Sequence, residues 1–306
     1  MSLSRRTALK TLAAAGAAVA STAAPAHARD PKKMPADAVG MLYDATLCIG
    51  CKACMVACRE ANGLEPEDPE SRWDSPVTLS ANTKNLIKLY REGGQQSFMK
   101  SQCMHCVDPA CVSACMLGAF QKREHGIITW DGSKCVGCRY CQIACPFNIP
   151  KFEWDDATPK IVKCELCAHR IAEGGIPACV EVCPRQAVIY GQTRDLLAEA
   201  HRRLEAEPER YEPKVYGEHD GGGTQVIYLA PKDISFATLG LPDLGTRSVP
   251  DLPETIQHAV YKGFIAPIAL YGVLAVAVWR NRRTEVEETR MHDDASDAGS
   301  SGRKEM

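Results

Sequence analysis

The sequence has no surplus of charge of either sign. Its 306 residues carry 36 Lys plus Arg against 38 Asp plus Glu, a formal net charge of −2, which excludes a strongly basic nucleic-acid binder. With 45% hydrophobic residues it is not a disordered polyampholyte either. A phosphate loop is missing: Gly221, Gly222 and Gly223 run into Thr224 and a strand-like stretch, without the following helix and Lys that hold a nucleotide. No constellation of nucleophile and base stands out. Long apolar runs are scarce, and the one of bilayer length, residues 259–279, contains a single charge, Lys262. The length leaves room for one or two cored domains. What the chain has in excess is cysteine. Sixteen is below the density of a small disulfide scaffold yet far above ordinary use, so the thiols act together.

The two ends carry their own signals. Ser4-Arg5-Arg6-Thr7-Ala8-Leu9-Lys10 precedes an Ala-rich apolar stretch and Ala26-His27-Ala28, which read as an export signal of residues 1–28 cleaved after Ala28. The Arg pair resembles a twin-arginine leader, with Ala8 where that motif usually has Phe. At about 1.5 Å per residue, residues 259–279 reach about 32 Å as a helix, against about 30 Å for a hydrocarbon core. One transmembrane helix is therefore expected, with Lys262 snorkelling from its first turn and Pro267 tolerated within it. Arg280, Arg282 and Arg283 follow at once, which by the positive-inside rule puts a disordered tail, residues 280–306, in the cytoplasm and the bulk of the chain outside it.

All sixteen cysteines fall into four quartets. Cys48, Cys51, Cys54 and Cys58 are spaced C-x2-C-x2-C-x3-C, and Cys135, Cys138, Cys141 and Cys145 repeat that spacing and add Pro146. Cys103, Cys106, Cys111 and Cys115 widen the middle gap, while Cys164 and Cys167 stand apart from Cys179 and Cys183, the last followed by Pro184. Disulfides do not call for triplets three residues apart, and zinc sites use two C-x2-C pairs across a loop, which only the fourth quartet imitates. Cubane 4Fe-4S clusters account for all four quartets: short loops wrap three corners, and the fourth Cys leaves the loop to ligate the other cluster of a pair. Four cubanes are expected. Spacing alone leaves open whether the third quartet pairs with the second or with the fourth.

Residues 41–229 resemble the four-cluster, ferredoxin-like subunits of bacterial respiratory oxidoreductases. The segments that carry the likeness are Gln102-Cys103-Met104-His105-Cys106-Val107-Asp108-Pro109, Cys135-Val136-Gly137-Cys138-Arg139-Tyr140-Cys141, Lys163-Cys164-Glu165-Leu166-Cys167 and Cys179-Val180-Glu181-Val182-Cys183-Pro184. With its leader and terminal span, the chain is most similar to the electron-transfer subunits of membrane-bound nickel-iron hydrogenases of the hydrogenase 2 type. The resemblance implies an α+β fold of two pseudo-symmetric, ferredoxin-like two-cluster units in a loop-rich domain, residues 29–230, joined by a linker, residues 231–258, to the C-terminal transmembrane helix. It also implies the ligand sets. Cys48, Cys51, Cys54 and Cys183 would bind one cubane; Cys58, Cys164, Cys167 and Cys179 a second; Cys103, Cys106, Cys111 and Cys145 a third; Cys115, Cys135, Cys138 and Cys141 the fourth. Met116 stands where Pro often follows the last cysteine of a quartet, a position that shapes the chain and ligates nothing.

The implied function is electron transfer without catalysis, between the hydrogenase small and large subunits and an integral membrane quinone-reactive subunit in anaerobic respiration, at the periplasmic face of the bacterial inner membrane. No separate nickel ligands and no molybdenum-cofactor signature are present. The rival within the class is the beta subunit of a formate dehydrogenase or related molybdoenzyme; the rival outside it is a disulfide- or zinc-stabilised structural protein at the membrane surface. His105, between two ligands, reads as a packing or hydrogen-bonding residue, and Trp130 and Trp154 read as core. Lys52, Arg59, Lys134, Arg139, Lys163, Arg170 and Arg185 crowd the quartets, where they either tune the clusters or are solvated surface. The ligand-free stretch 59–102 is a candidate docking surface. Residues 187–190 read as a strand, 194–205 as an amphipathic helix, 221–229 as a turn into a strand and 231–253 as a Pro-punctuated linker.

Overall fold

The computed structural model describes residues 30–65, 78–92, 94–154, 159–251, 253–254 and 267–283. The chain divides into two units, Arg29–Leu252 and a second one made of Met1–Ala28 with Pro253–Met306. The leader expected at 1–28 lies outside the described residues.

The first unit is organised by a three-stranded sheet in the order Val188–Gln192, Val39–Asp44, Val226–Leu229. β1, Val39–Asp44, lies at its centre. β8, Val188–Gln192, pairs with it antiparallel, Met41 opposite Tyr190, and β9, Val226–Leu229, pairs with it parallel, Met41 opposite Val226. Residues 226–229 are all buried, as an apolar run covered on both faces must be. Alternation sorts the side chains. Met41, Tyr43, Val226 and Tyr228 point to one face, into a core with Met99, Met104, Leu166 and Cys179. Leu42, Ile227 and Leu229 point to the other, where Leu196 and Ala200 cover them. Those two come from the Thr193–Ala206 helix, whose apolar stripe is the amphipathic pattern expected for 194–205. Gly40 is required where β1 enters: a Cβ there would stand 1.8 Å from the Gln225 carbonyl oxygen.

Around this frame the chain is short elements and loops. The stretch 59–102 contains a ribbon of β2, Leu86–Glu92, and β3, Gln95–Ser101, paired from Leu86–Ser101 to Glu92–Gln95. Two small ribbons follow, β4, Phe120–Lys122, with β5, Ile128–Trp130, and β6, Lys151–Phe152, with β7, Ile161–Val162.

Two expectations are corrected here. Residues 231–251 are no free linker. Ile234, Phe236 and Leu239 are buried in the main core, Phe236 lies 5.2 Å from the ring of Tyr216, and the Tyr216 hydroxyl donates to the Pro242 carbonyl at 2.6 Å. Farther along, the Ser248 hydroxyl donates to Asp108 at 2.6 Å, and Lys32 reaches the same buried carboxylate at 2.9 Å. Prolines that read as linker punctuation serve instead to lay an apolar strap on the core.

The second correction concerns the membrane. No helix among the described residues is long and apolar enough to cross one, so the single-pass placement expected from residues 259–279, with its cytoplasmic C-terminus, is not supported. The described helix of the second unit covers residues 267–283. It contains Arg280, Arg282 and Arg283, while residues 259–266 of the expected span lie outside the described residues.

Candidate metal centres

Each cysteine quartet is built on the same backbone device. In Cys48-Ile49-Gly50-Cys51-Lys52 the glycine has φ 71° and the lysine φ 62°, and in Cys135-Val136-Gly137-Cys138-Arg139 the matching angles are 71° and 64°. His105 (φ 48°) and Leu166 (φ 53°) take the same place in the other two C-x2-C loops. Left-handed residues cost about 1–2 kcal/mol each outside glycine, and they curl the loop so that backbone N–H groups turn inward. The Gly50 N–H donates to Cys48 Sγ at 3.4 Å, the Leu166 N–H to Cys164 Sγ at 3.4 Å and the Ala119 N–H to Cys115 Sγ at 3.2 Å.

A short helix then leaves each loop and carries the remaining cysteines inward. Ala53–Ala61 holds Cys54 and Cys58, and Tyr140–Ala144 holds Cys141. The other two quartets share the run Pro-Ala-Cys-Val: Pro109 precedes the helix Ala110–Ser113 and Pro177 the helix Ala178–Glu181. Proline sets its own φ for a helix start and needs no N–H there. The Ala53–Ala61 helix packs on Ala178–Glu181, and Ala110–Ser113 packs on Tyr140–Ala144. The chain thus folds into two halves. The first combines the first and fourth quartets, the second the middle two.

Within the halves the thiols gather in four groups. Cys48, Cys51, Cys54 and Cys183 line one narrow, largely closed cavity, together with Lys100. Cys115, Cys135, Cys138 and Cys141 line a second, of about 210 Å³. Between these, Cys58 lies beside Cys179 and Cys167, with Cys164 beside Cys58 and Cys179. Cys106 lies beside Cys103, Cys145 and Cys111. The groups also meet in series: Cys54 is within electrostatic reach of Cys179, Cys164 of Cys103, and Cys111 of Cys141. Cys51 and Cys138, at the two extremes, are exposed, while Cys58, Cys103, Cys111, Cys164, Cys167 and Cys179 are buried.

The donor set fits iron-sulfur cubanes on its chemistry. All sixteen cysteines are free, so none is in a disulfide, and among the described residues no three His, Cys, Asp or Glu converge on a single-ion site. Cubane ligands bind separate iron corners, so they stand farther apart than four ligands of one zinc ion. Burial pushes the Cys58 and Cys145 thiols up to about 11 and those of Cys54 and Cys141 up to about 12, with neighbouring thiolates adding to the rise around Cys54, Cys58 and Cys141. Thiolates crowded this way persist only against bound cationic metal, so metal affinity and proton release are coupled.

The cations divide. Lys163 is buried, and its ammonium donates to the carbonyls of Ile128 and Cys164. Arg59 is buried on Asn82 O at 3.1 Å and Thr83 Oγ1 at 2.9 Å. Arg170 pairs with Glu181 at 2.6 Å and the half-exposed Lys134 with Asp131 at 3.4 Å. His105 is fully buried and accepts the Ile128 N–H at Nδ1, at 3.1 Å. Of the two tryptophans, half-buried Trp130 packs against the core of Cys111, Phe120, Ile128 and Cys141, whereas Trp154 is not core, being 64% exposed. Arg139 lies 4.0 Å from the Trp154 ring and 4.4 Å from Phe152, a cation-π stack beside exposed Cys138.

One residue at the site was not among the candidates. Lys100, on β3, is 1% exposed and stands among Cys179, Cys54 and Cys164. Burial pulls its pKa down, but those thiolates outweigh burial and raise it. It lies outside every quartet, and a lone Lys in a ribbon reads as surface; only pairing across β2 turns it inward.

Comparison with known proteins agrees with the geometry. Residues 95–193 match the 4Fe-4S dicluster domain. The chain is 38% identical over 295 residues to the Hydrogenase-2 operon protein HybA of Escherichia coli O157:H7, covering 85% of this chain and 88% of that one. A protein of Nitratidesulfovibrio vulgaris is 40% identical over 300 residues, covering 94% and 80%. The nitrate-inducible formate dehydrogenase iron-sulfur subunit of Escherichia coli K12 is 33% identical over 288 residues, covering 88% and 94%.

Proposed function

The chain belongs to the family of HybA-type iron-sulfur subunits, and from that premise we propose that it is a non-catalytic electron-transfer subunit of a hydrogenase complex, holding four 4Fe-4S clusters in series. A cubane, when bound, supplies a one-electron couple. The protein's own work is to hold the clusters, space them and keep water from the inner ones, while bond-making chemistry takes place in the partners.

The ligand sets of this reading are Cys48, Cys51, Cys54 and Cys183; Cys58, Cys164, Cys167 and Cys179; Cys103, Cys106, Cys111 and Cys145; and Cys115, Cys135, Cys138 and Cys141. The observation that carries it is the serial arrangement of the four thiol groups, each within electrostatic reach of the next, Cys54 of Cys179, Cys164 of Cys103 and Cys111 of Cys141, with an exposed cysteine at each end. A route with two surface ends and an insulated middle suits a conductor between two partners. The partners of this reading are the hydrogenase small and large subunits at one end and a quinone-reactive membrane subunit at the other. The formate dehydrogenase alternative fits less well, since that relative is 33% identical against 38% for HybA.

Anaerobic purification of the complex, followed by metal and sulfide analysis, tests this. About 16 iron atoms per chain are expected from four cubanes, and fewer than about 12 would sink the four-cluster reading. Nickel in the same complex is the expected result; molybdenum or tungsten in its place would move the chain to the formate dehydrogenase class.

A further inference from the structure

Burying an ammonium costs several kcal/mol unless it is paired, and at Lys100 the pairing is unusual. Its ammonium donates to the neutral Gln102 Oε1 and stands within electrostatic reach of the Cys179 sulfur. Among the described residues no carboxylate pairs with it, and it walls the Cys48, Cys51, Cys54 and Cys183 cavity while facing Cys164 and Cys58 of the next set. The chain around it is locked: its own carbonyl accepts from the Tyr228 hydroxyl at 2.9 Å, and Gln102 donates to Met41 Sδ at 3.2 Å.

Lys52 and Arg185 line the same cavity, the first half-buried and the second exposed, and the remaining cations near the thiols are placed differently. Lys163 and Lys122 spend their ammonium groups on backbone carbonyls, of Ile128 and Cys164 and of Cys106 and Val107. At the outer end of the second half, Lys134 is 48% exposed and paired with Asp131, and Arg139 is stacked on Phe152 and Trp154. Exposed charge is screened by water and salt, whereas charge sealed beside a sulfur is not.

We propose that the Lys100 ammonium, sealed between the Cys48/Cys51/Cys54/Cys183 and Cys58/Cys164/Cys167/Cys179 sets, raises the reduction potential of the clusters bound there. The Cys115/Cys135/Cys138/Cys141 site is left untouched, so the first half holds an added electron more firmly than the far end of the second. This rests on the four-cluster reading above. Each reduction adds one electron, taken from the donor subunit and passed to the acceptor, with no proton bound or lost. The cluster with its thiolates becomes one charge more negative, and a fixed cation buried beside the ligand sulfurs favours that form.

The test is an EPR-monitored potentiometric titration of the anaerobically purified complex carrying K100M, K100Q or K100R, with signals assigned beforehand using Cys51→Ser and Cys138→Ser. In K100M the reduced-to-oxidised ratio of at least one first-half cluster, at fixed potential, is expected to fall tenfold or more, which is 59 mV for a one-electron couple. The Cys138 cluster stays within twofold of wild type, and K100R restores the first-half ratio. If K100M loses iron, K100Q gives the reading. Iron loss from the first half in both neutral variants, with full retention in K100R, supports the same need for charge; iron loss in K100R as well overturns it. First-half potentials unmoved in a fully loaded neutral variant overturn the proposal, as does an equal shift of all four clusters. A wild-type complex without four cluster signals would instead defeat the four-cluster reading itself.

Discussion

The two halves of the molecule use one ligand grammar in two settings. In the first half, Cys179 is buried in the main core with Met41, Tyr43 and Tyr228, against the three-stranded sheet and under the strap of residues 231–251. In the second, Cys111 and Cys141 pack with Phe120, Ile128 and Phe152 among two-stranded ribbons, and the outer loops and the Tyr140–Ala144 helix leave Met116 81%, Ile143 80% and Val136 71% exposed. Spacing of cysteines decides where thiols gather. Which elements close over them decides how dry, how rigid and how strongly charged each site is.

The largest effect that separates the halves is ligand removal. Cys179→Ala is expected to take out its own cluster and the one it adjoins through Cys54, about 8 iron atoms of about 16, whereas exposed Cys138→Ala costs about 4. Iron analysis of both variants decides it, and equal losses would mean that the halves are equally independent of their surroundings.

Backbone substitutions come next. Gly40→Ala drives a Cβ to 1.8 Å from the Gln225 carbonyl oxygen at the sheet, which should cost about 3 kcal/mol. Gly118, beside Cys115, has φ 64° but nothing within 4 Å, so Gly118→Ala should cost only about 1 kcal/mol of strain. Melting temperatures of the loaded variants should fall by about 6–12 °C and about 2–4 °C respectively. A reversed order would refute the view that the sheet is the stiffer support.

The smallest effect lies on the helix that covers the sheet. Glu199 accepts from Arg202 Nε at 2.7 Å and Arg203 Nε at 2.8 Å. The Arg202 bonds first, then those of Arg203, outweigh its slight desolvation and hold it down at about 2. A carboxylate depressed in the folded state stabilises above its ordinary value of 4.5 and loses that contribution only as pH falls from there towards about 2. The pair is near the surface and is worth less than about 1 kcal/mol. The melting-temperature gap between wild type and Glu199→Gln should therefore stay constant from pH 8 to pH 5, and a gap closing in that window would count against the assignment.

Sequence reading went furthest where chemistry is local. The four quartets, the strand at 187–190, the helix at 194–205 and the turn into 226–229 are written in spacing and alternation, and the fold shows an element at each. Spacing could not choose how quartets pair, because that depends on which short helices pack, Ala53–Ala61 on Ala178–Glu181 and Ala110–Ser113 on Tyr140–Ala144. Lys100 was invisible because its neighbours come from four separate segments. The strap was misread because proline marks a turn without saying whether the turn is covered, and Trp154 because an aromatic beside an arginine can stack outside a core as well as within one.

The interleaving of the quartets also sets a schedule. Cys48, Cys51 and Cys54 leave the ribosome well before Cys183, which lines the same cavity and is the last of the sixteen cysteines in sequence. Everything needed for the middle two groups, Cys103 to Cys145, emerges sooner. Domains grow from the N-terminus during synthesis, and distant contacts form late. The cysteines of the first quartet must therefore wait longest for the segment that completes their cavity.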